Sequence, residues 1–116
     1  MYIVYGIPNC NSVQKARTWL DEHQISYEFH DYKKSGVAKD KLISWSKQLG
    51  WENLLNKKGT TWRGLEEEVQ NSITTQTAAI KLMQEHTSII KRPIIEKEGK
   101  IVAIRFDEAE YGKAFL

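Results

Sequence analysis

The sequence predicts an α/β fold in which a four-stranded mixed sheet is wrapped by helices and carries an inserted helical subdomain. Three observations predict it: a strand, a helix and a strand open the chain, helical spacing dominates about residues 38–87, and two strand-like runs with a short helix close it. A length of 116 residues suits one domain with a sizeable core, so residues 1–116 are expected to fold as a single unit around that insertion.

Residues 2–6 are rich in Tyr, Ile and Val and end at Gly6, which is how a short buried strand reads. Val13, Ala16 or Arg17, and Leu20 then recur at helical spacing, with Asn11 or Ser12 placed to cap a helix running to about Glu22 or His23. Ile25, Tyr27 and Phe29 alternate with polar residues, the period of a second strand. Two strands joined through such a helix should lie parallel. After a turn-like link at residues 33–36, Leu42, Trp45 and Leu49 mark a helix that stops at Gly50, and residues 51–56 suit a further short helical piece. The acidic segment from Trp62 to Gln70 reads as one helix, and Ala79, Leu82, Met83 and His86 place a core-facing stripe on a helix from about Thr75 to His86. Ile94 to Lys97 and Ile101 to Phe106, separated by Glu98 and Gly99, read as an antiparallel hairpin. Asp107 with Glu110 three residues later has the spacing of a capping box for a last short helix. This order is a thioredoxin-type plan.

Composition narrows the function. Hydrophobic residues at 41% and charged residues at 28% are ordinary for a globular chain. A net charge of +2 lacks the concentrated basic footprint of a nucleic-acid binder. The apolar start is short and has neither a basic stretch before it nor a cleavage site after it, and no run approaches the ~20 apolar residues that cross a bilayer. A soluble cytoplasmic protein that engages neither nucleic acid nor membrane is expected. No long apolar segment demands a partner copy, so a monomer is expected too.

One cysteine excludes an internal disulfide, and any redox chemistry at Cys10 must recruit an external thiol. Cys10 lies between the first strand and the first helix, where unpaired amides and the positive end of the helix dipole favour a thiolate over a thiol. A turn at the carboxyl end of a parallel strand is also where open α/β sheets place their chemistry. Arg92 directly precedes Pro93, and Arg105 is read as part of the final hairpin strand. A guanidinium there must face solvent or an anion, and its fork binds carboxylates and oxyanions bidentately. His23, His30 and His86 have no metal-ligand spacing with Cys10, and the tryptophans are read as core or groove wall.

The segment Pro8-Asn-Cys10-Asn-Ser12, the stretch from Asn53 to Arg63, the run Ile89-Ile-Lys-Arg-Pro-Ile94, and Arg105 together resemble the arsenate reductase (ArsC) family, specifically its YffB-like branch, and are similar to the Spx regulators. The resemblance implies a thioredoxin-like fold, a nucleophilic cysteine at Cys10, arginines at Arg92 and Arg105 holding an anion near it, and a cis bond before Pro93. Arsenate reductases of this group carry a His and an Arg around the cysteine loop, where this chain has Gly6 and Gln14, and a further Arg where it has Asn56; Arg63 lies close enough in sequence to substitute. Spx regulators carry a Cys-x-x-Cys switch whose second position here is Val13. The expected site is therefore Cys10 as nucleophile, with Asn11, Ser12, Arg63, Arg92 and Arg105 binding substrate and Pro93 in cis form, without metal or bound cofactor. The expected activity is a glutathione-linked thiol reductase, with glutathione or another small thiol as co-substrate. The alternatives are an arsenate reductase coupled to glutaredoxin, and a non-enzymatic, transcription-associated binding protein.

Overall fold

The computed structural model describes residues 1–116. Tyr2–Gly6 forms strand β1. The chain then turns, Cys10 N donating to Ile7 O at 3.2 Å, and enters helix α1, Asn11–Glu22. Val13, Ala16, Trp19 and Leu20 occupy the buried stripe of α1, as the apolar spacing requires. The N-cap position is Cys10 rather than Asn11 or Ser12. Cys10 has extended backbone angles (φ −91°, ψ 130°) while its carbonyl already accepts from Gln14 N at 2.9 Å, so Asn11 and Ser12 fall inside the first turn. Strand β2, Tyr27–Asp31, runs parallel to β1 in a register that sets Gly6 opposite Asp31.

At the other end of the chain, β3 (Ile94–Lys97) and β4 (Lys100–Ile104) form the expected hairpin. Its two-residue turn, Glu98 and Gly99, has positive φ at both positions (53° and 82°), the twist that a tight hairpin favours. β3 pairs antiparallel with β1, giving the order β2-β1-β3-β4 and the mixed, thioredoxin-type sheet read from the sequence. Asp107 Oδ1 accepts from Glu110 N at 3.0 Å and caps the last helix, Glu108–Phe115. One face of this sheet is sealed by Val4, Ala16, Trp19, Leu20, Ile95 and Tyr111, with Tyr2, Phe29, Phe106 and Phe115 packed around them. Large apolar side chains so buried contribute about 1.5–3 kcal/mol each.

The sheet and its helices, Met1–Ser35 with Arg92–Leu116, make one compact unit, and Gly36–Lys91 makes another. In the first, the link predicted as a turn contains a helical turn, α2 (Tyr32–Ser35). The second contains α3 (Lys39–Leu49), α4 (Trp51–Leu54), α5 (Thr60–Arg63), α6 (Glu67–Ser72), α7 (Gln76–Glu85) and a 3-10 turn at Thr87–Ile89, so the final helix of the chain is α8. α3 stops at Gly50, where φ is +85°, as its sequence predicts. The single helix expected over Trp62 to Gln70 is two helices instead. Gly64 ends α5 by donating to Thr60 O, and Gln70 Nε2 takes Trp62 O at 2.7 Å, a carbonyl that a continuous helix would have kept for itself. α7 also ends one residue early: His86 leaves the helix at φ −134° and is exposed, so it drops off the predicted apolar stripe. The unit reaches beyond residues 38–87 because its ends are tied in. Gln84 Nε2 donates to Val37 O at 3.3 Å, Leu55 bridges Ile90, and Lys91 N donates to Leu54 O at 2.8 Å. No helix is long and apolar enough to cross a membrane.

Candidate active site at the carboxyl end of the first strand

Sheet register gathers the candidate residues of the first unit. Tyr5 lies opposite Ile94, Ile94 opposite Ile104, and Gly6 opposite Asp31. One step further, Ile7, Tyr32, Pro93 and Arg105 therefore leave the sheet at the same end, where the loop to Cys10 also begins. Gly6 lets that loop form, since a Cβ here would sit 2.7 Å from Val13 Cγ2, and only glycine allows the first turn of α1 to press on the end of β1. The same contact leaves no room for the His that arsenate reductases carry near this point. Gln14, at the other position of departure, is exposed, its Nε2 donating to Pro8 O at 3.3 Å.

Cys10 is the free cysteine of the chain and is half-buried. Cys10 is the N-cap of α1, and its side chain makes no capping hydrogen bond to the first-turn N–H groups. Asn11 is exposed and Ser12 half-buried in that first turn. The Arg92–Pro93 peptide bond is cis. Arg105 lies just past β4 rather than within it. Its backbone is left-handed (φ +60°), its N–H donates to Pro93 O at 2.7 Å, and its carbonyl accepts from Tyr111 Oη at 2.6 Å. The hairpin reading missed this because Ile101 to Phe106 is a continuous strand-forming run apart from Arg105, whereas β4 ends two residues before Phe106, where Arg105 N turns to Pro93 O. Arg63 ends α5 in the Gly36–Lys91 unit and is exposed. Pro93, Arg92, Arg105, Cys10, Asn11 and Ser12 belong to the sheet unit.

Sequence reasoning overlooked a buried polar group beneath this sheet end. Glu96 is 2% exposed and accepts a hydrogen bond from Tyr5 Oη at 2.9 Å. The Tyr5 ring lies tilted against His30 at 4.8 Å and stacks on Tyr32 at 6.5 Å. Burial, then the bond to Glu96, push the Tyr5 hydroxyl well above its ordinary ionisation range. Tyr32, 1% exposed, is pushed up by burial as well, and the positive charge of Arg92 opposes that rise. Arg92 is thus within electrostatic reach of Tyr32. The available signal was Glu96 itself, a carboxylate at the same strand phase as the apolar Ile94. Of the histidines, His23 stacks on Trp19 at 3.9 Å with Nδ1 2.8 Å from Trp19 O, His30 lies against Tyr5, and His86 is exposed.

Comparison with known proteins gives a consistent picture. The model of the ArsC family matches residues 5–114. A solved structure of a protein named YffB superposes with a TM-score of 0.92 at 40% identity, covering 100% of both chains. An arsenate reductase (ArsC) related protein from Brucella melitensis is 42% identical, with a TM-score of 0.78 over 98% of this chain and 93% of that one. The global transcriptional regulator Spx of Streptococcus agalactiae is 30% identical over 100% of this chain and 83% of its own length.

Proposed function

Because this chain belongs to the ArsC family, we propose that it is a thiol reductase of the arsenate-reductase-like kind that uses glutathione as its external thiol. The observation that carries the reading is Cys10 at the N-cap of α1, a half-buried lone thiol at the sheet end it shares with Arg92 and Arg105. In the first step the Cys10 thiolate attacks the glutathione sulfur of a mixed disulfide. A new S–S bond forms, the old one breaks, and the substrate leaves as a thiolate that takes a proton from water. In the second step a glutathione thiolate attacks the Cys10–glutathione disulfide, releasing oxidised glutathione and regenerating the Cys10 thiolate. One disulfide is reduced and two glutathione thiols are joined, so the electrons balance without a second cysteine in the chain.

Cys10 sits at the positive end of the α1 dipole, which favours negative charge on its sulfur as attacking group and as leaving group alike. Arg92 and Arg105 supply charge for a glutathione carboxylate. The backbone of Arg105 supports that role: a left-handed φ disfavours a side-chain-bearing residue by about 1 kcal/mol, and strain of this kind clusters at working sites.

Turnover of a glutathione mixed disulfide, followed with excess glutathione, tests the reading. The wild-type protein is expected to turn over and to show one glutathione on Cys10 by intact mass, whereas Cys10→Ser should lose at least about 100-fold in rate, the scale of losing an activated nucleophile. Undiminished turnover in Cys10→Ser would eliminate the mechanism. Rapid arsenate-dependent thiol oxidation would move the assignment to arsenate reduction proper. The match to Spx over the whole of this chain favours a second reading, binding of the transcription machinery. Retention of RNA polymerase subunits by the immobilised protein, with no turnover, would establish it in place of the first.

A further inference from the structure

Beside Cys10 a groove of about 410 Å³ runs along α1, and the reductase reading does not use it. One wall is Asn11, Lys15, Thr18 and Glu22, spaced by three or four residues and so stacked on one side of the helix. The other wall is Phe106 and Glu108, from the loop and first turn that follow Arg105. From Asn11 to Glu22 the helix rises ~16 Å, which matches about five residues of extended polypeptide at ~3.3 Å each. That is longer than the glutathionyl arm of the disulfide requires. The groove begins at Asn11, the residue next to the nucleophile, so a chain continuous with the disulfide under attack has only a short distance to span to enter it.

We propose that this groove holds the polypeptide on the far side of that disulfide, and that it prefers a peptide with a basic residue near its cysteine. The inference rests on the reading of Cys10 as a disulfide-attacking thiolate. Charge complementarity selects the occupant: Glu22 and Glu108 face the groove against the single cation Lys15, and all three are exposed and without an ion pair inside the chain. The edges of Phe106 and Trp19 give the apolar contact that an aliphatic or aromatic neighbour of the cysteine would cover. An anionic ligand fits poorly, because it would meet two carboxylates for one ammonium. The substrate class is therefore a glutathionylated protein segment with a lysine or arginine within a few residues of the modified cysteine.

The test uses three synthetic mixed disulfides of glutathione: one with 2-mercaptoethanol, one with a five-residue cysteinyl peptide flanked by lysine, and one with the same peptide flanked by glutamate. Two exposed charge pairs predict kcat/KM about five- to tenfold higher for the lysine peptide, chiefly through KM. That ratio should fall toward one in the double variant Glu22→Gln, Glu108→Gln and shrink in 0.5 M salt relative to 0.05 M. Equal kcat/KM for the two peptides, or a preference that survives the double substitution, overturns the groove assignment while turnover of the 2-mercaptoethanol disulfide still upholds the reductase reading. Failure of the wild-type protein to turn over even that small disulfide overturns both.

Discussion

Tyr5 donates to Glu96 Oε1 at 2.9 Å, whereas the more deeply buried hydroxyl of Tyr32 has no hydrogen-bond partner. The two residues are the same chemically and their rings are 6.5 Å apart, so they isolate what a hydroxyl does when it is satisfied and when it is not. Removing the Tyr5 hydroxyl takes a hydrogen bond from a buried carboxylate and should lower stability by about 1–3 kcal/mol. Removing the Tyr32 hydroxyl deletes a desolvated group that returns nothing. Tyr32→Phe should therefore leave stability unchanged or raise it by up to about 1 kcal/mol. Urea denaturation at pH 7 checks both, and an equal loss in the two variants would mean that the Tyr32 hydroxyl finds a partner in solution. Any fall in turnover of Tyr32→Phe without a fall in stability would instead reflect the charge of Arg92, which Tyr32 senses.

At the scale of elements, the junction of β1 with α1 decides where Cys10 sits. Val13 is β-branched and rotamerically stiff inside a helix, so a methyl placed on Gly6 at 2.7 Å from Val13 Cγ2 cannot be accommodated by a side-chain swing. Gly6→Ala should cost about 1–3 kcal/mol of overpacking and reduce turnover by displacing the first turn. Combining it with Val13→Ala should recover part of that loss, with a coupling of about 1 kcal/mol or more in a double-mutant cycle; strict additivity would show that the two residues do not press on one another. This junction was only half legible in the sequence. The strand, the helix and the parallel pairing followed from apolar period, and Asp107 announced its own cap. The cap at Cys10 did not, because Asn11 and Ser12 are the better capping residue types, and only the turn from Cys10 N to Ile7 O moves the helix start back by one. Arg105 and the broken helix after Trp62 escaped for a related reason. In each, a hydrogen bond to a residue distant in sequence or across a loop, to Pro93 O or from Gln70 Nε2, overrode a local pattern that was itself sound. The cysteine and the arginines at the sheet end were legible by type and position. The groove wall at Phe106 and Glu108 was not, since only the packing of the last loop against α1 makes it one.

Taken over the whole molecule, the aromatic residues are divided unevenly, and that division gives the protein a predictable response to alkali. All five tyrosines belong to Met1–Ser35 and Arg92–Leu116, and Gly36–Lys91 has none. Burial pushes the hydroxyls of Tyr5, Tyr32 and Tyr111 above the ordinary tyrosine value near 10. When the chain unfolds these groups ionise normally, so above pH 10 the unfolded state holds fewer protons than the folded one. Stability must then fall as pH rises, by about 1.4 kcal/mol per pH unit for each such tyrosine and approaching ~4 kcal/mol per unit for the three together. Below about pH 9 these residues contribute no slope, because both states keep the proton. Urea midpoints measured at pH 8, 9, 10 and 11 should therefore be level across the first two and drop steeply across the last two. Tyr111→Phe, which also loses the bond to Arg105 O, should be weaker at every pH yet decline less steeply above pH 10, by about 1.4 kcal/mol per unit. The slope rather than the offset is diagnostic: a variant that runs parallel to the wild-type curve would mean that Tyr111 ionises in the folded protein as readily as in the unfolded chain, and that the core of the sheet unit admits water at its hydroxyl.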